Sequence, residues 1–147
     1  SLEQARNLLI DIMVEYHSYT GISVMIVFDA YQVKGTKIKH EKINGVDVIF
    51  TKEHQTADSY IEIKVEELTK NRKNIVRVVT SDWAEQQVIL GSGGVRITPR
   101  EMEIEIENVR AKIDKRIEVA KKKRLFLSDK LDERTLQLLE KWRKEKF

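Results

Sequence analysis

Apolar residues at Leu2, Ala5, Leu8, Leu9, Ile12, Met13 and Tyr16 recur every three to four positions, which predicts a helix over residues 1–18. Ser1 followed by Gln4 has the form of a capping box at its start, and Gly21 closes it. The period then changes. Residues 22–28 are β-branched and almost wholly apolar, the pattern of a strand buried on both faces, and Val46–Phe50 repeats that signal after a polar loop that contains Lys34, Gly35, Lys37, Lys39, His40 and Lys42. Ile61, Val65 and Leu68 mark a helix from about Asp58 to Leu68, and Ile75–Val79 reads as a third strand.

The alternation continues. Trp83–Leu90 reads as a short helix ended by a GSGG turn, and Val95–Ile97 as a short edge strand. Thr98, Pro99 and Glu101 make a strong helix start, with hydroxyl cap, proline at the first helical position and glutamate completing the box. Met102, Ile106, Val109, Ile113, Ile117 and Ala120 carry that helix for roughly five turns. A separate last helix is expected from about Ser128 to Lys146, presenting Leu131, Thr135, Leu138, Leu139 and Trp142. Strands that alternate with helices argue for an α/β fold on a mostly parallel sheet. Such a domain normally opens with a strand, whereas this chain opens on a helix cap, so the expectation is an unusual fold or a segment missing before Ser1.

Composition narrows the classes. At 147 residues and 41% hydrophobic, the chain suits one domain, and with no cysteine it has neither disulfides nor thiolate metal sites. No apolar stretch approaches the ~20 residues of a membrane span, and a cytoplasmic location is expected. The net charge of +3 is uneven: residues 121–147 hold ten Lys or Arg against five Asp or Glu, and the first 120 residues hold 17 basic against 19 acidic. The positive charge is a C-terminal property, centred on Lys121, Lys122, Lys123 and Arg124. It would suit a phosphate backbone, although charge runs are more often solvated faces.

Three aspartates stand where a parallel sheet gathers its ligand-binding side chains: Asp29 ends VMIVFD, Asp58 follows VIFTKEHQTA, and Asp82 ends IVRVVTSD. Unit charges about 4 Å apart interact by roughly 4 kcal/mol at an effective dielectric near 20, so carboxylates that converge there need a cation or a proton. A hard divalent cation is the simplest resident. Ions held by carboxylates make a bound water nucleophilic and offset developing negative charge, which is what phosphodiester hydrolysis requires. Thr80, Ser81 and Thr56 are candidates for orienting ligands or waters. The plainer reading of Asp58 and Asp82 is as helix-capping acids, and of Asp29 as a loop acid. Glu62 and Glu85, one turn into the helices, read first as exposed glutamates, and Trp83 as a packing or stacking residue. Of the histidines, His54 is a weak candidate near Asp58, and His17 and His40 read as structural or surface groups.

Several segments in order, EYHSYTG at 15–21, VFDAYQVKG at 27–35, VIFTKEHQTAD at 48–58, TSDWAEQ at 80–86 and LEKWRK at 139–144, resemble the YacP-like group of NYN-domain proteins among the PIN-like ribonucleases. The resemblance implies a three-layer α/β/α domain with a mostly parallel central sheet over residues 1–120, and a basic helical extension over 121–147 packed on it. It implies Mg²⁺ or Mn²⁺ held by Asp58, Asp82 and Asp29, and internal cleavage of single-stranded RNA, with mRNA as the expected substrate. Lys34, Lys37, Lys39 and Lys121–Arg124 would grip the substrate, and a ribosome is a conceivable partner. No organic cofactor and no membrane are implied. Members open with a strand ending in DGYN whose aspartate joins the metal cluster, and nothing in this chain matches it, a gap that bears directly on catalysis. The competing readings are a non-catalytic RNA-binding or ribosome-associated module with the same fold, and a receiver-like phosphoacceptor centred on Asp29.

Overall fold

The computed structural model describes the backbone of residues 1–146 and the side chains of residues 1–143. The elements run α1 (Leu2–Thr20), β1 (Met25–Phe28), β2 (Lys39–Ile43), β3 (Val46–Phe50), α2 (Ala57–Thr69), β4 (Arg77–Val79), α3 (Trp83–Gly91), β5 (Val95–Ile97) and α4 (Pro99–Lys146). The chain divides into a compact unit of Ser1–Val109 and a second that begins at Arg110.

Helix α1 starts and stops as its sequence dictates. The Ser1 hydroxyl accepts from the Gln4 N–H at 3.3 Å, Gln4 Oε1 accepts from Ser1 N, and Gly21 at φ 71° turns its N–H back to the His17 carbonyl. Its inward face buries Ile10, Met13 and Tyr16.

The described strands pair in two small sheets. The first has order β1-β3-β2, with β1 and β3 parallel and β2 and β3 antiparallel; the second pairs β4 with β5 in parallel. Strand β2 was hidden in what reads as a polar loop. It forms because Asn44 (φ 45°) and Gly45 (φ 89°) make a two-residue turn with both central residues in the left-handed region, the geometry that matches strand twist. A side chain at 45 is excluded twice, since a Cβ there would lie 2.6 Å from His17 Nε2. All four β1 residues are half-buried and not sealed on both faces: among the described residues β1 pairs only with β3, and β4 only with β5. Strand β4 is also shorter than its apolar run, which leaves Ile75 82% exposed.

The apolar interior has two parts. Ile10, Val46 and Val48 form one cluster, with Ile26, Phe28 and Phe50 packed on it; Val65, Val78 and Ile89 form the other. Gly94 allows β5 to approach α3, because a Cβ there would meet Ile89 Cγ2 at 2.8 Å. A polar clamp joins α1, β4 and the start of α4: Tyr16 donates to Glu105 Oε2 at 2.7 Å, and Arg77 donates to both Glu105 oxygens at 2.9 and 3.0 Å. Arg77 and Tyr16 hold the Glu105 carboxyl below the usual carboxylate range.

Helix α4 opens on the expected box, with the Glu101 N–H donating to the Thr98 hydroxyl at 3.2 Å and the Thr98 N–H to Glu101 Oε2 at 3.3 Å. It then continues without a break through Lys121–Arg124, so the two expected helices are one. Nothing from Met102 to Lys146 is Gly or Pro, and Lys, Arg, Leu and Glu are all good helix formers, so a change of charge pattern is no reason to stop. No helix among the described residues is long and apolar enough to cross a membrane.

Candidate functional site

Asp29 directly follows β1, and Asp82 lies three residues past the end of β4. Both are fixed by backbone donors, Asp82 with Thr80 and Ser81 between it and the end of β4. Asp29 Oδ1 accepts from the Tyr31 N–H at 3.1 Å and Oδ2 from the Ala57 N–H at 3.4 Å, which ties the end of β1 to the first turn of α2. Buried Thr51, just past β3, braces the same turn by accepting from the Ala30 N–H at 2.8 Å. Asp82 is the cap of α3, with Oδ1 accepting from Ala84 N at 2.9 Å and Glu85 N at 3.4 Å. The capping reading is therefore correct for Asp82, and both cap bonds go to Oδ1.

Asp58 differs. Thr56 caps α2 by accepting from the Ser59 N–H at 3.1 Å, so Asp58 lies inside the first turn and is not the capping acid. Burial, then the charges of Asp82, Glu62 and Asp29, push its carboxyl above the ordinary value. That influence reaches Asp58 from two acids distant in sequence, Asp82 and Asp29. Thr80 is a bracing group here: its hydroxyl accepts from the Asp82 N–H at 3.1 Å and its carbonyl from Gln86 Nε2 at 2.8 Å. Ser81 is exposed.

Glu85 is the residue that pattern reading undervalued. It is 4% exposed, its Oε1 has no hydrogen-bond partner among the described residues, and its carboxyl is pushed up to about 8. Burial contributes most, followed by a hydrogen bond with the Glu62 carboxyl and the charges of Asp58, Glu62 and Asp82. Spacing could have drawn attention to it, since Glu85 stands three residues after the cap, but that is also where ordinary capping glutamates stand.

The donor set fits a hard divalent cation in chemistry: it consists of carboxylate oxygens whose charges raise the Asp58 and Glu85 carboxyls, with the buried Glu85 Oε1 without a hydrogen-bond partner among the described residues. It is not closed around a point. Among the described residues no three Asp, Glu, His or Cys side chains are grouped to hold an ion.

The basic residues are dispersed. Lys34 and Lys37 are exposed on the segment after β1, which is laced to residues 53–54: the Gly35 N–H donates to Glu53 Oε2 at 2.8 Å, and the His54 N–H to the Tyr31 carbonyl at 2.8 Å. Lys39 belongs to β2, where it pairs with Glu41 at 2.9 Å. Lys121, Lys122, Lys123 and Arg124 are exposed on α4 in the second unit, with Lys122 3.4 Å from Glu118. The side chains of Lys144 and Lys146, also counted with the basic tail, lie outside the described residues. His54 is exposed and 3.4 Å from Glu53, His40 bonds Asp47 at 2.8 Å, and Trp83 is 70% exposed beside Asp82.

The mixed α/β architecture is that of the PIN-like class of protein. The profile of the YacP-like NYN domain matches residues 1–144, and the chain belongs to that family. It is 41% identical over 144 residues to YacP of Bacillus subtilis strain 168, a match that covers 98% of this chain and 84% of the relative. It is also similar to two crystal structures of Rae1 (YacP) from Bacillus subtilis. One matches at a TM-score of 0.69 and 40% identity, covering 96% of this chain and 80% of the other. The second, of a mutant, matches at 0.68 and 41%, covering 80% and 67%.

Proposed function

We propose that this chain is the catalytic domain of a metal-dependent endoribonuclease that hydrolyses single-stranded RNA, mRNA among its substrates. The observation that carries the reading is the junction of β1, β4, α2 and α3, where the charges of Asp82, Glu62 and Asp29 push the Asp58 carboxyl up and those of Asp58, Glu62 and Asp82 push up that of Glu85. Asp58, Asp82 and Asp29 would hold Mg²⁺ or Mn²⁺, and the ion when bound supplies a water made nucleophilic near neutral pH and offsets charge on the phosphate. The chain's own groups do the rest. Tyr31 and Ala57 N–H fix the Asp29 carboxylate, Ala84 and Glu85 N–H fix that of Asp82, and Thr80 fixes the turn that carries Asp82. The N-termini of α2 and α3 add positive ends of helix dipoles beside the phosphate path. Lys34 and Lys37, a short distance along the chain from Asp29, and the exposed basic face of α4 supply affinity without sequence readout, so binding should weaken steeply with salt. Membership of a family of NYN domains, which are generally nucleases, supports the same reading.

A second reading, a non-catalytic RNA-binding or ribosome-associated module, is favoured by one observation: the acids are not grouped around a single point among the described residues. The two separate on a labelled RNA incubated with the chain in EDTA and then in Mg²⁺ or Mn²⁺. The enzyme cuts only with metal, and Asp58→Asn and Asp82→Asn do not cut; binding without metal-dependent cutting selects the module.

A further inference from the structure

Helices α2 and α3 each carry two acids one turn apart on one face: Asp58 and Glu62 on the first, and Asp82, its cap, with Glu85 on the second. The two helices pack against each other. Glu85 lies in that contact. Its carboxyl shares a hydrogen bond with that of Glu62 on the facing helix, its backbone N–H donates to Asp82 Oδ1 at 3.4 Å, and its Oε1 is sealed from solvent with no hydrogen-bond partner among the described residues. At 4% exposed it is the most deeply buried charged side chain among those residues. The ordinary uses of a glutamate at this position are all taken up elsewhere. In a capping box the third helical residue reaches back to the N–H of the cap, as Glu101 does to Thr98, but the Asp82 N–H is held by the Thr80 hydroxyl at 3.1 Å. Pairing with a base is not its role either, since the charged groups that act on Glu85 are the acids Glu62, Asp58 and Asp82.

We infer that Glu85 is a further ligand of the divalent ion, offering its buried Oε1, with Glu62 fixing the carboxyl by their hydrogen bond. The inference rests on the metal-dependent reading and goes beyond it, because it adds a buried acid from the helix contact to the three at the strand ends. Buried polar atoms nearly always have a partner, so an oxygen without one calls for a donor or a cation. The acids around Glu85 offer it acceptors and negative charge, and a cation answers both needs at once. Carboxylate oxygen is also the donor that Mg²⁺ and Mn²⁺ take. Glu85 is tied to the other ligands through the chain itself. Its N–H holds the Asp82 carboxylate, and the Glu62 that holds its carboxyl stands one turn after Asp58.

The test is Mn²⁺ titration of the whole chain by calorimetry, with urea denaturation in EDTA to report on the fold. Glu85→Gln keeps the shape of the side chain and removes its charge; Glu85→Asp keeps the charge and withdraws it by one methylene. Both should bind Mn²⁺ at least about tenfold more weakly than the wild type. Glu62→Gln removes an equal charge from the same group of acids but leaves a hydrogen-bonding amide beside Glu85, and should lose clearly less. Glu85→Gln should also be no less stable than the wild type in EDTA near pH 7, so that affinity falls while the fold holds. If the wild type binds Mn²⁺, Asp58→Asn weakens it and both Glu85 variants bind as the wild type does, Glu85 is a buried acid alone and the metal-dependent reading stands. If the wild type binds no Mn²⁺, that reading fails and takes the inference with it. Equal losses in Glu85→Gln and Glu62→Gln would mean that only the summed charge counts, and would overturn the ligand assignment.

Discussion

Replacing Glu85 by glutamine should stabilise the metal-free protein, an unusual outcome for a change at a buried position. The carboxyl is pushed up to about 8 from an ordinary 4.5 by burial, Glu62, Asp58 and Asp82. The folded state therefore holds a proton that the unfolded chain has released between about pH 4.5 and 8, and stability falls as pH rises through that window. At pH 7 the window has been crossed by about 2.5 units, and at 1.36 kcal/mol per unit the penalty is at most about 3 kcal/mol. Relaxation and water entry reduce it, so a gain of about 1–3 kcal/mol is expected from Glu85→Gln at pH 7. At pH 4 the wild-type side chain is neutral in both states and the gain should vanish. Urea denaturation of both proteins in EDTA across pH 4–8 measures this directly. A variant less stable than wild type by the same amount at every pH would show that Glu85 is a packing residue and that the acidic junction stores no repulsion.

Other changes separate structural from chemical roles. Asp82→Asn keeps a good cap on α3 and should leave stability within about 0.5 kcal/mol, whereas Asp82→Ala should cost about 1 kcal/mol; RNA cutting should be lost in both, and a cutting Asn variant would make Asp82 a cap alone. Gly45→Ala meets His17 Nε2 at 2.6 Å and an unfavourable φ, so thermal unfolding should reveal a loss of about 2 kcal/mol; an unchanged midpoint would refute the turn argument. Arg77→Met removes both donors to a Glu105 whose pKa is lowered, a contribution present above the ordinary carboxylate range and lost as pH falls through the depressed value. It should cost about 1–2 kcal/mol near pH 7 and less near pH 3, as read by denaturation at the two pH values. A loss independent of pH would mean that the clamp acts by packing.

Much of the fold was legible where local chemistry decides it. The Ser1 and Thr98 boxes, the Gly21 stop and the apolar β3 all depend on neighbouring residues, and the structure carries each of them. Strand β2 was missed because KHEKI is exposed and charged; its signal was the Asn44–Gly45 turn, which outweighs the absence of an apolar face. The sealed character expected of β1 failed because burial of a strand depends on what lies beside it, which apolarity alone does not reveal. The expected break in α4 relied on a shift of charge pattern without a glycine or proline to enforce it. In the acidic junction, Asp29, Asp58 and Asp82 were readable from their places after apolar runs. Glu85 was not, because its burial depends on α2 packing against α3, a contact no local pattern encodes.

The central claim is that carboxylates far apart along the chain jointly hold a divalent ion, and Mn²⁺ titration by calorimetry of the whole chain beside Asp58→Asn tests it most directly. The account predicts saturable binding to the wild type and at least a tenfold loss in the variant, because Asp58 is the acid on which Asp82, Glu62 and Asp29 all act. Equal binding by both proteins, or none by either, would contradict it.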